Sequence, residues 1–459
     1  MKSASPNAWR GGTRAALSIA ALATLSAAAP AQQVSEAPAP YAKAIAAGYK
    51  AAMLCSGLFN AGRSQAQVER DELAGIYPEY QPLIAGLPAT IDRARGRVSV
   101  TFDDKLPPRV STFAAGRGCR SEPIGWTPPA TGTPPPPVHG ADPRQWPLGD
   151  AGIAPAHSPA LATAIDRAFK GDFGKNAKTI GVVILRDGKV VGERYAEGWG
   201  PFVSNRTWSV AKSIAGTLIG FRSVDPDRPA SIAAWQAAGD PRRAITLDNL
   251  MRMASGLHSD TAGNRTDALY FGGTAVEEQA TGWPLEAVPG SRFRYANNDT
   301  LLAVRHLREG LGERQYQALP PQFFGALGMT HTVAEQDWRG NYILSSQVWS
   351  TARDLARLGQ FWLDDGVWQG RRLLPSGWMK RMTTPAGPQP RTGPGYGATL
   401  WLFGPVQGLP AGSYAAQGNR GQYVMVVPTA RLVVVRRGED GTGNSFNIAA
   451  FTKAVLEAR

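Results

Sequence analysis

Apolar residues recur along residues 158–170 at the period of an α-helix. Ser158 stands at an N-cap position and Pro159 follows at the first helical position. Apolar side chains then recur every four residues at Leu161, Ile165 and Phe169. This spacing places them on one face of a helix. The pattern predicts a helix from residue 158 to about residue 170.

Two pairs of apolar runs predict β-hairpins at opposite ends of the region that follows. The stretch "TIGVVILRDGKVVGERYAEG" has strand-like runs on both sides of Asp187-Gly188, a dipeptide that favours a tight turn. Near the C-terminus, "QYVMVVP" and "RLVVVRRG" flank Thr429-Ala430, and the helical "NSFNIAAFTKAVLEA" comes last. Residues 209–380 are predicted to be mostly helix and loop. We expect an α+β fold, with an antiparallel sheet assembled from distant segments, flanked by helices and interrupted by a helical subdomain.

The preceding part of the chain has a different organisation. Residues 32–124 combine a helical pattern, "YAKAIAAGYKAAML", with an alternating strand-like piece, "GRVSVTF". Residues 125–157 are dense in proline and glycine, which excludes a helix or a central strand and favours an extended course along a surface. We therefore expect a small N-terminal region, a linker and a domain at 158–459.

The first thirty-one residues have the pattern of a secretory signal peptide. Three basic residues precede the short apolar run "AALSIAALATLSAAA", and Ala29-Pro30-Ala31 offers a cleavage site. No later apolar segment is long enough to span a bilayer, and no cysteine lies at the cut site to take a lipid. The sequence predicts a periplasmic or secreted protein without a stable membrane anchor after cleavage.

The cysteines are Cys55 and Cys119. An oxidising compartment would allow them to form a disulfide bond, and the alternative is two unrelated buried thiols. The net charge of +13 comes mainly from arginines spread along the chain, without long basic runs. That distribution argues against nucleic acid as a partner, and anionic envelope polymers remain an alternative.

The stretch "TWSVAKSIAG" contains Ser209 three residues before Lys212. Residues i and i+3 share a helix face, so both side chains would project into one pocket, with the serine at the positive helix terminus. A desolvated lysine can lose its proton and act as a base. The alternative is a capping serine on a buried helix whose apolar residues pack inward.

Further motifs follow in order along the chain. "PGSRFRYANNDT" contains Tyr295 and Asn297, and "AAQGNRGQYVMVVP" places a glycine-rich turn directly before a strand. A histidine-based triad is not supported, because no Gly-x-Ser-x-Gly elbow occurs and the histidines stand in no recognised motif.

Together these motifs resemble those of the class C β-lactamase and penicillin-binding protein superfamily of serine hydrolases, over roughly residues 158–459. The resemblance implies that Ser209 is the acylated nucleophile, that Lys212 helps to deprotonate it, and that Tyr295 acts with Lys212 as general acid and base. Asn297 would orient Lys212 or a substrate amide. The alternatives are a core or rim tyrosine at Tyr295 and a loop-fixing amide at Asn297.

The third motif departs from the Lys-Thr-Gly typical of that superfamily. If Gly421 matches the motif glycine, the backbone N–H groups of Gln422 and Ser209 would form the oxyanion hole. Arg420 would partly replace the missing lysine in binding a substrate carboxylate. The alternative is a plain turn at the entry of a strand.

This glycine-glutamine version, with "YGATLW" upstream, is most similar to the branch of esterases and 6-aminohexanoate-dimer hydrolases. The resemblance implies hydrolysis of a small ester, linear amide or peptide substrate without a metal or other cofactor. The alternative activities are those of a β-lactamase or D-Ala-D-Ala peptidase, and a third alternative is a catalytically silent envelope protein. Aromatic candidates for the pocket walls are Tyr270, Trp283, Tyr396 and Trp401.

Overall fold

The computed structural model describes residues 39–127, 140–155, 158–258, 266–443 and 445–458. The predicted signal peptide and part of the predicted linker lie outside these residues. Within the described ranges, we find no helix with the length and apolar character needed to cross a bilayer.

The first described part contains three helices and a four-stranded antiparallel sheet in the order β1-β2-β3-β4. Its elements are α1 (Ala39–Phe59), α2 (Gln65–Asp71), α3 (Gln81–Ile84), β1 (Ala89–Asp92), β2 (Arg97–Val100), β3 (Arg109–Ala114) and β4 (Gly118–Ser121). The apolar side chains of α1 pack on β2, β3 and β4. A disulfide between Cys55 and Cys119 joins α1 to β4, which confirms the predicted pairing.

The rest of the chain carries ten further helices and twelve further strands within the described residues. The helices are α4 (Pro159–Lys170), α5 (Val210–Phe221), α6 (Leu247–Met251), α7 (Asp267–Tyr270), α8 (Val276–Ala280), α9 (Asn297–Leu311), α10 (Glu313–Leu327), α11 (Ala352–Leu363), α12 (Trp378–Thr383) and α13 (Ile448–Glu457). The strands are β5 (Thr179–Arg186), β6 (Lys189–Tyr195), β7 (Asn205–Arg206), β8 (Val333–Ala334), β9 (Val348–Ser350), β10 (Val367–Trp368), β11 (Arg371–Arg372), β12 (Gly395–Tyr396), β13 (Trp401–Phe403), β14 (Ser413–Gly418), β15 (Gln422–Val427) and β16 (Leu432–Gly438).

The predicted antiparallel sheet is confirmed. Seven strands lie in the order β12-β13-β14-β15-β16-β5-β6, so strands from the two ends of the region meet where Val183 pairs with Val435. The strands β15 and β16 are buried throughout and β5 is buried except at Arg186, because helices cover both faces of the sheet. Helix α11 packs on one face, and α4 and α13 pack together on the other.

The predicted local signals are also confirmed. Ser158 caps α4 by accepting a hydrogen bond from the Leu161 N–H at 3.1 Å. Asp187 and Gly188 both have positive φ, 49° and 77°, in the turn between β5 and β6. Left-handed backbone at both central residues matches the twist of a tight hairpin.

The helical segment between β7 and β12 brings α5 into the interior. Residues Val210 to Gly220 of α5 are all buried, and the helix contacts α9, β14 and β15. A helix enclosed on every side is mostly apolar, which explains the run after Ser209, and its buried polar residues Lys212, Ser213 and Thr217 are hydrogen-bonded. Its N-terminus lies beside the end of β14, and the candidate site is found there.

Candidate active site

Ser209 lies at the N-terminus of α5 and its side chain makes no capping hydrogen bond. It follows Trp208, a bulky residue with φ of +51°. Such backbone is unfavourable for a non-glycine residue by about 1–3 kcal/mol and persists where the surroundings hold it. The Ser209 side chain is half-buried, so a small molecule can reach it.

Lys212 is buried and its Nζ makes three hydrogen bonds. It donates to Ser209 Oγ at 3.0 Å, to Asn297 Oδ1 at 2.6 Å and to the Ser345 carbonyl oxygen at 2.7 Å. Burial, and secondly the positive charge of Arg206, lower the pKa of Lys212 to about 7. The three donated bonds are those of the ammonium form. A substantial fraction of the amine is neutral near pH 7, and in that form Nζ can accept from Ser209 Oγ across the same 3.0 Å contact.

Tyr295 faces the same pair. Its side chain is hydrogen-bonded to Ser209, and its ring centroid lies 5.2 Å from Lys212 Nζ. Burial raises the pKa of Tyr295, so the phenol keeps its proton at neutral pH. Asn297 begins α9 and its Nδ2 donates to Thr266 Oγ1 at 3.4 Å, which orients its carbonyl oxygen towards Lys212. The structure thus brings Ser209, Lys212, Tyr295 and Asn297 together.

Aromatic rings form a wall beside this group. The Tyr295 ring centroid lies 5.3 Å from that of Trp401 and 6.0 Å from that of Tyr396. Tyr270 instead reaches the site indirectly, because its hydroxyl is 2.6 Å from Ser345 Oγ. Trp283 packs against His258, with ring centroids 5.3 Å apart.

The third motif meets the site at Gly418, three residues before the expected Gly421. A Cβ built on Gly418 would lie 3.1 Å from the Ser209 backbone nitrogen and 2.3 Å from the Thr207 carbonyl oxygen. A Cβ on Gly421 would instead lie 1.7 Å from Arg436 Nη1, on the side occupied by Asp440. Gly418 is therefore the glycine whose backbone lies against the Ser209 turn.

Arg420 and Gln422 direct their side chains into the protein. The buried guanidinium of Arg420 donates to the carbonyl oxygens of Asp71 at 2.8 Å and Ala74 at 3.0 Å, at the end of α2. The Gln422 side chain accepts from Arg437 at 2.7 Å and donates to the Gly438 carbonyl at 2.6 Å. The Arg420 guanidinium is therefore bound by carbonyl oxygens of another segment. It does not point to where a substrate carboxylate would bind, contrary to the expectation from the sequence.

Comparison with known proteins agrees with this geometry. The sequence model of the family described as Beta-lactamase matches residues 165–443. This chain belongs to the β-lactamase family. The family resemblance seen in the sequence, and the β-lactamase-like fold expected from it, are thereby confirmed.

Individual proteins are similar to this chain at low sequence identity. The 6-aminohexanoate-dimer hydrolase of Paenarthrobacter ureafaciens is 24% identical over 295 residues, which span 55% of this chain and 71% of that protein. A putative 6-aminohexanoate-dimer hydrolase from Bacillus anthracis superposes with a TM-score of 0.52 and 22% identity, covering 62% of this chain and 79% of that one. A penicillin-binding protein homologue from Caulobacter crescentus superposes with a TM-score of 0.53 and 16% identity. The match covers 67% of this chain and 99% of that one. These structural likenesses establish the shared fold.

Sequence reasoning missed several residues around this β-lactamase-family site. Gly418 directly follows the strand-like stretch "SYAAQ", and its position at the end of that stretch was the only sequence signal for its role. Ser345 and Thr266 carry no motif, because their roles depend on contacts across the fold. Arg206 precedes Ser209 closely, but only its burial separates it from the many surface arginines. Within the described residues, we find no cluster of three side chains suited to hold a metal ion.

Proposed function

We propose that this member of the β-lactamase family is an exported hydrolase of small esters or linear amides, acting through an acyl-enzyme on Ser209. The observation that carries the proposal is the 3.0 Å hydrogen bond between Lys212 Nζ and Ser209 Oγ in a buried setting. A serine hydroxyl needs such a base to become a nucleophile.

In the proposed reaction, neutral Lys212 takes the Ser209 proton while Oγ attacks the substrate carbonyl carbon. Tyr295 passes a proton to the leaving oxygen or nitrogen as the ester or amide bond breaks. Water then attacks the acyl-enzyme, giving up a proton through Tyr295 and Lys212, and the acid product leaves with Ser209 restored. The contacts of both side chains with Ser209 support these roles.

The oxyanion would be held by the backbone N–H of Ser209 and that of Asn419, the residue after Gly418. This assignment replaces Gln422, and it is supported by the contact of Gly418 with the Ser209 turn. Such preorganised donors typically contribute about 10²–10³-fold to the rate.

The substrate class follows from the side chains around Ser209. Half-buried Trp401 offers an apolar surface, while the Arg420 guanidinium is bound to protein carbonyl oxygens. An ester or linear amide without an essential carboxylate fits these surroundings. The similarity to the hydrolase of Paenarthrobacter ureafaciens supports linear amides. Export is supported by the predicted signal peptide and by the Cys55–Cys119 disulfide, which is typical of an oxidising compartment.

A substrate panel tests the proposal with the wild type, Ser209→Ala and Ser213→Ala. Ser213 is a matched control because it is a buried serine on the same helix whose Oγ donates to the Thr399 carbonyl, at 2.5 Å. We expect the wild type and Ser213→Ala to hydrolyse p-nitrophenyl butyrate or a linear 6-aminohexanoate dimer, and Ser209→Ala to lose this turnover. Turnover of nitrocefin alone would favour a β-lactamase, and activity retained by Ser209→Ala would refute the mechanism.

A further inference from the structure

Arg206 is a buried cation three residues before Ser209. It lies on β7, where it pairs with Trp349 of β9, and its side chain is almost completely excluded from solvent. Its Nη2 donates to Ser346 Oγ at 2.8 Å. Among the described residues, its Nε and Nη1 have no hydrogen-bond partner. A guanidinium in this state keeps a charge that hydrogen bonds only partly compensate.

Aromatic rings surround this charge instead. The guanidinium carbon lies 3.8 Å from the ring centroid of Trp208, 5.3 Å from that of Tyr270 and 5.4 Å from that of Phe271. Ring faces attract a cation, and the attraction reaches about 2 kcal/mol or more when water is excluded. Arg206 is therefore held by stacking, and its closest ring belongs to the residue directly before Ser209.

Arg206 is connected to Ser209 and Lys212 through two sets of contacts. The first passes through Trp208, whose left-handed backbone sets the direction of the Ser209 turn and needs support from packing. The second passes through the neighbouring serines. Arg206 binds Ser346, while Ser345 supplies the carbonyl that accepts from Lys212. One side chain thus contacts both the turn of the nucleophile and the segment that holds the base.

We propose that Arg206 is a positioning residue that holds the strained Trp208–Ser209 turn by stacking and whose buried charge acts on Lys212 across the Ser345–Ser346 segment. The inference rests on the proposed function, because it explains how the Ser209–Lys212 pair stays ready to react. It agrees with the lowered pKa of Lys212, for which burial is the first cause and Arg206 the second.

Four other titratable groups among the described residues face this pair. Tyr295 faces Lys212, and Tyr49, Tyr270 and Glu335 face Arg206. Burial raises the pKa of each tyrosine, so all three stay neutral near pH 7. Burial also raises the pKa of Glu335 to about 7. The negative charge of ionised Glu335 would offset the positive charge of Arg206 near Lys212. Removing the Glu335 charge should therefore shift the pKa of Lys212 in the opposite direction to removing the Arg206 charge.

The test is the pH dependence of Ser209 labelling by a fluorophosphonate, which needs no knowledge of the natural substrate. Wild type should show a midpoint near pH 7. Arg206→Gln removes the charge, so its midpoint should rise by about one pH unit and its rate at pH 7 fall about fivefold. Arg206→Lys keeps the charge and loses the planar stacking group, so its midpoint should stay while the labelling rate falls at every pH.

Glu335→Gln completes the set, and its midpoint should fall or stay unchanged. A melting curve for each variant separates loss of folded protein from loss of reactivity, since a purely structural role would not move the midpoint. An unmoved midpoint in folded Arg206→Gln would overturn the proposal. If that variant does not fold, Arg206→Lys decides, because an unchanged rate or an upward shift would overturn it. Failure of wild type to label at all would refute the proposed function, and the inference with it.

Discussion

The backbone of Gly418 lies directly against the Thr207 carbonyl oxygen, only 2.3 Å from where a Cβ would stand. This contact joins the end of β14 to the turn that carries Ser209. The fit leaves no room for any side chain, so glycine is required here for space.

Gly418→Ala should reduce acylation by about 10²-fold or more, because the new methyl group displaces the strand from the Ser209 turn and disturbs an oxyanion donor. The measurement is kcat/KM for p-nitrophenyl butyrate. Gly404→Ala is the matched control, since a Cβ there meets nothing within 4 Å and the backbone is extended. Equal activity of the two variants would contradict the placement of the oxyanion hole at Gly418.

Activity should rise with pH through about 7 and level off above it. The reason is that Lys212 must be neutral to accept a proton, and burial followed by the Arg206 charge lowers its pKa to about 7. Below that value kcat/KM should fall about tenfold for each pH unit. A pH profile of kcat/KM measures this, and a flat profile between about pH 5 and pH 7 would exclude Lys212 as the base.

Tyr295→Phe should lower kcat by about 10²–10⁴-fold while the protein stays folded. The phenyl ring can keep its packing beside Trp401, whose centroid is 5.3 Å from that of Tyr295, so only the hydroxyl next to Ser209 is lost. Kinetics and a thermal melt are measured together. Tyr414→Phe, a buried tyrosine on β14, serves as control, and equal kinetics in both variants would remove Tyr295 from the mechanism.

Arg420→Gln should lower the free energy of unfolding by about 3 kcal/mol or more, because a buried guanidinium paired with Glu439 at 3.3 Å is lost and carbonyl groups of α2 lose their donor. The KM of the remaining folded protein should change little. Denaturant unfolding and steady-state kinetics distinguish this from substrate binding. A large increase in KM at unchanged stability would restore Arg420 as a carboxylate-binding residue.

The sequence predicted the parts of the fold and site that depend on local spacing. Ser209 and Lys212 share a helix face whatever surrounds them, and the turn at Asp187-Gly188 is set by its own backbone. The choice between Gly418 and Gly421 depended instead on a contact with Thr207, far away in the chain. Likewise, the Arg420 side chain is oriented by its hydrogen bonds to carbonyl oxygens at the end of α2. The sequence around an arginine in a turn does not indicate which distant carbonyl groups will accept its hydrogen bonds.

Strand β5 lies between β16 and β6, so its pairing of Val183 with Val435 joins segments from opposite ends of the domain. Closing so long a loop must precede the gain from pairing, which slows folding. During synthesis β5 emerges long before β16, and its apolar edge then has no native partner. The order of assembly therefore leaves this edge of β5 open to aggregation or to capture by a chaperone until β16 has been made.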